Sequence, residues 1–142
     1  MSARFGRSAR LLSPFCLALL APGLAACAST TSTSSFKGEE HAVAQAIANL
    51  QSNATALEHK KVCHEDLASS VVTRLDRAPG GCEKALESQL KQIDSFEVTV
   101  EAVKIDGRSA TAHVKSIREG KQHIETLTLV KEGGKWRISG VG

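Results

Sequence analysis

Tyrosine is absent from this 142-residue chain, aromatic residues make up only 4% of it, and Trp136 is its single tryptophan. An active site that steadies an enolate with a phenol is thereby excluded. Proline occurs only at Pro14, Pro22 and Pro79, and no acidic residue precedes Glu39. No apolar run reaches the roughly 20 residues that a membrane-spanning helix needs. No phosphate-cradling glycine loop, nucleophile elbow or clustered metal-ligand spacing is present. Net charge is also missing where it would matter. The formal value is +3, but Arg4, Arg7 and Arg10 all lie before the first apolar run, and beyond residue 26 there are 15 basic residues against 15 acidic. A neutral chain has no electrostatic footprint for nucleic acid. What remains, 42% hydrophobic and 23% charged, is the composition of one folded domain rather than a disordered chain.

The N-terminus reads as a targeting segment. Three arginines precede Leu11–Leu24, a 14-residue apolar stretch interrupted by Pro14 and Pro22. It ends in Leu24-Ala25-Ala26-Cys27, which resembles the bacterial lipobox. In that motif the cysteine thiol is alkylated by a diacylglycerol and becomes the new N-terminus after cleavage. The competing reading is an ordinary secretory signal with Cys27 incidental. Acyl chains contribute about 0.8 kcal/mol per buried CH₂, so two or three of them anchor a protein firmly. Ala28–Ser35 (ASTTSTSS) carries no side chain large enough for a core and reads as a polar spacer. The expected organisation is a lipoprotein signal peptide over 1–26, a lipidated Cys27 and tether over 27–37, and one domain over 38–142.

Cys16 falls within the apolar stretch, which leaves Cys63 and Cys82 as a pair in the domain. In an exported chain such a pair is expected to form a disulfide. A metal site using Cys63, His64 and Cys82 is the alternative, but adjacent Cys-His is poor ligand spacing and nothing completes the set.

Hydrophobic periodicity places helices first and strands last. Val43, Ile47, Leu50, Ala54 and Leu57 step by 4, 3, 4 and 3, one face of a helix. Cys63, Leu67, Val71 and Leu75 repeat every four residues and predict a second helix, with His64-Glu65-Asp66 in its exposed first turn. Pro79-Gly80-Gly81 breaks it, and Cys82, Leu86, Leu90 and Ile93 mark a third. From Phe96 the period is two, through Val98, Val100 and Ala102. It then slips at Val103, which predicts a bulge or bend. Turn signals at Asp106-Gly107, Glu119-Gly120 and Gly133-Gly134 separate four strands with no helix between them. The sheet is therefore an antiparallel meander, and the fold class α+β.

An export signal, a spacer, helices and then hairpin-linked strands closing on Gly133-Gly134-Lys135-Trp136-Arg137-Ile138 resembles the nuclear transport factor 2-like superfamily, which includes SnoaL-like and ketosteroid-isomerase-like domains. The resemblance covers residues 38–142. It implies three helices packed on a curved four-stranded sheet, a cone with a pocket at its open end, and dimerisation through the outer face of the sheet. A cysteine pair joining the second and third helices is similar to an exported subset of the family. One departure is that no short strand is found between the second and third helices.

Catalysis has little support. Glu97 and Glu101 alternate with the apolar set, and Glu83 and Glu87 face away from Leu86 and Leu90. His113 and His123 are the remaining acid–base candidates. Asn53-Ala54-Thr55 matches a glycosylation sequon that has little meaning in a bacterial lipoprotein. Trp136 is expected in the core, with pocket lining by Trp136 and His113 as the functional reading. The expectation is a non-enzymatic envelope module without cofactor or metal, anchored to the membrane at Cys27, that binds a small apolar ligand or an envelope protein. The alternatives are a small isomerase or hydrolase using the cone, and a purely structural lipoprotein.

Overall fold

The computed structural model describes residues 32–91, 96–118 and 120–142. The signal peptide, Cys27, Ile93 and Glu119 lie outside the described residues. Within them the order is α1 (Gly38–Thr55), α2 (His59–Lys61), a single π-helical turn (Val62–Asp66), α3 (Ser69–Leu75), α4 (Gly81–Leu90), β1 (Glu97–Asp106), β2 (Ser109–Arg118), β3 (Lys121–Glu132) and β4 (Lys135–Val141). The architecture is α+β, with the helical layer against one face of a sheet of order β1-β2-β3-β4. Four α-helices and a π turn replace the expected three helices.

α1 buries Val43, Ala44, Ile47, Gln51 and Ala54. Two expected members of its stripe behave otherwise, since Leu50 is half-buried and Leu57 is 51% exposed. The helix has already ended there in a Schellman motif: Glu58 N–H donates to the Asn53 carbonyl at 2.9 Å and Leu57 N–H to the Ala54 carbonyl at 3.1 Å. Leu57 occupies the left-handed position at φ 56° that glycine usually fills, so its side chain is turned out of the stripe.

The predicted second helix is broken in the middle. Leu67 and Ala68 are extended, at ψ 143° and 150°. The cause is tertiary. Leu67 forms a parallel bridge with Ile138, and Ala68 N–H donates to the Ile138 carbonyl at 2.8 Å. β4 is an edge strand whose open backbone groups need partners, and these residues leave the helix to supply them. Ahead of it the helix widens into a π turn, closed by Leu67 N–H on the Val62 carbonyl at 3.0 Å. Asp66 is consequently buried, not in an exposed first turn.

α4 starts at Gly81 behind Gly80 as its cap, both at positive φ (72° and 87°). A side chain on Gly80 would collide with Lys84 at 2.7 Å. The Asp76 carboxylate accepts from Cys82 N–H at 2.9 Å, satisfying a first-turn amide from outside the helix.

The bulge lies one residue earlier than the period slip implied. Val100 pairs with Val114 and Ala102 with His113, so Glu101 is the extra residue and Ala102 turns outward instead of joining the core. A second register shift between Thr128 and Leu129 bends the β3–β4 pair. Ile47, Leu129, Val43, Val62 and Val114 are each under 2% exposed and fill the space between α1 and the sheet.

Cys63 and Cys82 form a disulfide with an S–S distance of 2.07 Å and a Cα–Cα separation of 6.2 Å, joining the π turn to α4. Closing a loop of that length is worth about 3 kcal/mol in the chain-entropy account. Replacing both cysteines by serine is expected to lower unfolding stability by about that amount in urea titration, because no other covalent link restrains the α2–α4 segment.

Candidate functional site

The outer surface of α1 carries polar residues every fourth position: His41, Gln45, Asn49 and Asn53. One helical face gathers side chains at that spacing. The π turn stands opposite and contributes Glu65 and Asp66, with Lys61 of α2 beside them. Gly134, Lys135 and Trp136 close one end. Together they enclose a groove of about 660 Å³. It lies outside α1, not in the cone between α1 and the sheet that the family resemblance implied.

Asp66 forms its floor. It is 5% exposed, and Asn53 Nδ2 donates to Asp66 Oδ2 at 2.8 Å. Burial pushes the Asp66 carboxyl above its ordinary value, against the Asn53 hydrogen bond and the more distant Arg137 and Lys61 charges. Lys61 Nζ is itself paired with Glu58 at 2.7 Å, which raises its own pKa.

The wall at Trp136 is set by Glu39. Trp136 Nε1 donates to Glu39 Oε2 and Lys131 Nζ to Glu39 Oε1, each at 2.7 Å. The Lys131 ammonium lies 5.6 Å from the Trp136 ring centroid. Both hydrogen bonds hold the Glu39 carboxyl below the usual carboxylate range. The π turn is also clamped to β4. Arg137 Nη1 donates to the His64 carbonyl at 2.6 Å. Glu132 accepts from Ser69 N–H at 3.1 Å and Ser69 Oγ at 2.8 Å, which lowers its pKa.

The two structural readings of Trp136 meet in one residue, since the ring is 6% exposed, belongs to the core cluster and lines the groove. His113 does not line it. Ala112 and Val114 face the core, so His113 is on the opposite face of β2, exposed, with Nδ1 3.2 Å from Thr126 Oγ1. His123 is exposed on β3. His64 is exposed 3.7 Å from Glu83, and with both cysteines in the disulfide the Cys63-His64-Cys82 metal reading is overturned. Sequence reasoning missed Asp66, Asn53 and Glu39. Only the closeness of Asn53 to the helix end and the acidic pair Glu65-Asp66 hinted at them.

Residues 80–140 match a family model described as "Putative lumazine-binding". That segment covers α4 and most of the sheet, so the groove residues of α1 and the π turn fall outside it. Among solved structures, an NTF-2-like protein of unknown function from Silicibacter pomeroyi is similar at 14% identity and TM-score 0.36, over 66% of this chain and 90% of that one. A de novo designed protein with a curved β-sheet is similar at 16% identity and TM-score 0.35, over 63% and 94%. No curated protein matches the chain.

Asp66 gives the site a testable pH signature. Its folded pKa lies above the unfolded one, so the unfolded state releases its proton first. Stability is expected to fall as pH rises from the unfolded value near 3.8 through the raised folded value, then level off. Asp66→Asn keeps the Asn53 hydrogen bond and removes this loss. Urea midpoints of both proteins from pH 3 to 8 should diverge in favour of the variant as pH rises.

Proposed function

We propose that the chain is a non-enzymatic binding module of nuclear transport factor 2-like architecture, lipid-anchored at Cys27 on the outer side of a bacterial membrane, with the groove beside α1 as its binding site. The observation that carries the reading is the buried Asp66–Asn53 pair on the floor of a 660 Å³ groove walled by Trp136. Clefts of about 300–1,000 Å³ with a few oriented polar groups are characteristic of small-molecule sites. The family description of residues 80–140 supports a small-ligand partner. The pair offers an amide donor beside a carboxylate acceptor, matched to a ligand edge with alternating N–H and C=O groups, as on a lumazine-type heterocycle.

The anchoring half of the proposal rests on the lipobox-like Leu24-Ala25-Ala26-Cys27. The disulfide is consistent with a domain outside the cytoplasm. No helix of the described residues is long and apolar enough to cross a membrane.

The single tryptophan makes ligand binding directly readable. Lumazine is expected to quench Trp136 emission saturably in the full chain, and Asn53→Leu to weaken it at least tenfold, since it strands the buried Asp66 acceptor. Failure of lumazine and related heterocycles to perturb Trp136 would defeat the ligand assignment. For the anchor, Cys27→Ser is expected to abolish incorporation of labelled fatty acid.

A further inference from the structure

The groove is longer than a heterocycle requires. Gln45, Asn49 and Asn53 all line it, four residues apart on one helix face. At 1.5 Å rise per residue, successive carboxamides lie roughly 6 Å apart along α1. An extended polypeptide repeats on one side every two residues, or about 6.6 Å. Each carboxamide has both a donor and an acceptor, the same complement as a peptide unit. Gln45 Nε2 donates to Asn49 Oδ1 at 3.0 Å, which orients the two groups in series and leaves Gln45 Oε1 and Asn49 Nδ2 to meet a ligand. Asn53 is ordered in the same way by Asp66.

We propose that this groove binds an extended peptide segment, its backbone running along the Gln45–Asn49–Asn53 ladder and a basic side chain resting against Glu65 and Asp66. This rests on the groove being the binding site and specifies its partner. The charge distribution sets the direction of preference. At the π-turn end Lys61 is neutralised by Glu58 at 2.7 Å, so Glu65 and Asp66 give that end a negative character. At the other end His41 and Lys135 give none. A cation at the π-turn end meets these two carboxylates, whereas a carboxylate there faces like charge. Ladder contacts are sequence-tolerant because they read backbone, and the acidic end supplies selectivity.

The test uses the full chain and Trp136 fluorescence, titrated with capped hexapeptide pools in which one position is fixed as lysine or as glutamate and the others are randomised. The lysine pool is expected to bind at least tenfold more tightly than the glutamate pool. Gln45→Ala/Asn49→Ala, a change at two exposed positions outside the core, is expected to reduce peptide affinity at least tenfold while leaving the urea unfolding midpoint unchanged. Equal or absent responses to the two pools would overturn the peptide proposal, as would peptide binding indifferent to the double variant. Lumazine quenching without any peptide response would overturn it alone and leave the small-ligand reading standing. Silence with both probes would overturn both.

Discussion

The hydrogen bond from Ala68 N–H to the Ile138 carbonyl, with the Leu67–Ile138 bridge around it, is the contact on which the arrangement of this domain turns. A meander of four strands leaves two edges, and β4 presents one of them. Covering that edge draws Leu67 and Ala68 out of a helix that local pattern would continue through them. The strain is taken up immediately upstream, where the backbone widens into a π turn and rotates Asp66 inward against Asn53. π-helical turns concentrate at functional sites because they re-aim side chains in this way. The opposite edge is treated more simply: Gln51 Oε1 accepts from Val98 N–H of β1 at 3.3 Å. Each edge of the sheet thus meets a hydrogen-bonding group of the helical layer.

The groove inherits its rigidity from the same attachments. Its π-turn wall is fixed to α4 by the Cys63–Cys82 disulfide and to β4 by Arg137 on the His64 carbonyl. Its far end is fixed by Glu39, which joins the first turn of α1 to Trp136 and Lys131. An acid in the first turn of a helix is favoured by the helix dipole, and here it also satisfies the only indole N–H of the chain. Charges exposed to solvent contribute little one by one. Their value in this structure is positional, because each ties a groove wall to β3 or β4.

α1 divides its two faces between the sheet and the groove. The apolar stripe of α1 faces the sheet and is consumed in packing, with Val43 and Ile47 almost fully buried. Its polar face forms one wall of the groove because the π turn stands beyond it. α1 thus has both faces committed, one to the sheet and one to the groove.

Residue pattern alone determined the fold class, the four-stranded meander, the first helix, the breaker at Pro79-Gly80-Gly81 and the pairing of Cys63 with Cys82. The elements rest on local periods of 3.6 and 2 and on turn residues, which are physical properties of short segments, and the pairing on there being two cysteines in the expected domain. The split second helix, the outward turn of Ala102 and the burial of Asp66 came from elsewhere. Each depends on a partner distant in sequence: Ile138 for Leu67, Asn53 for Asp66, Val114 and His113 for the β1 bulge. The site was least legible of all, since it is built from three segments that meet only after an open strand edge has drawn a helix apart.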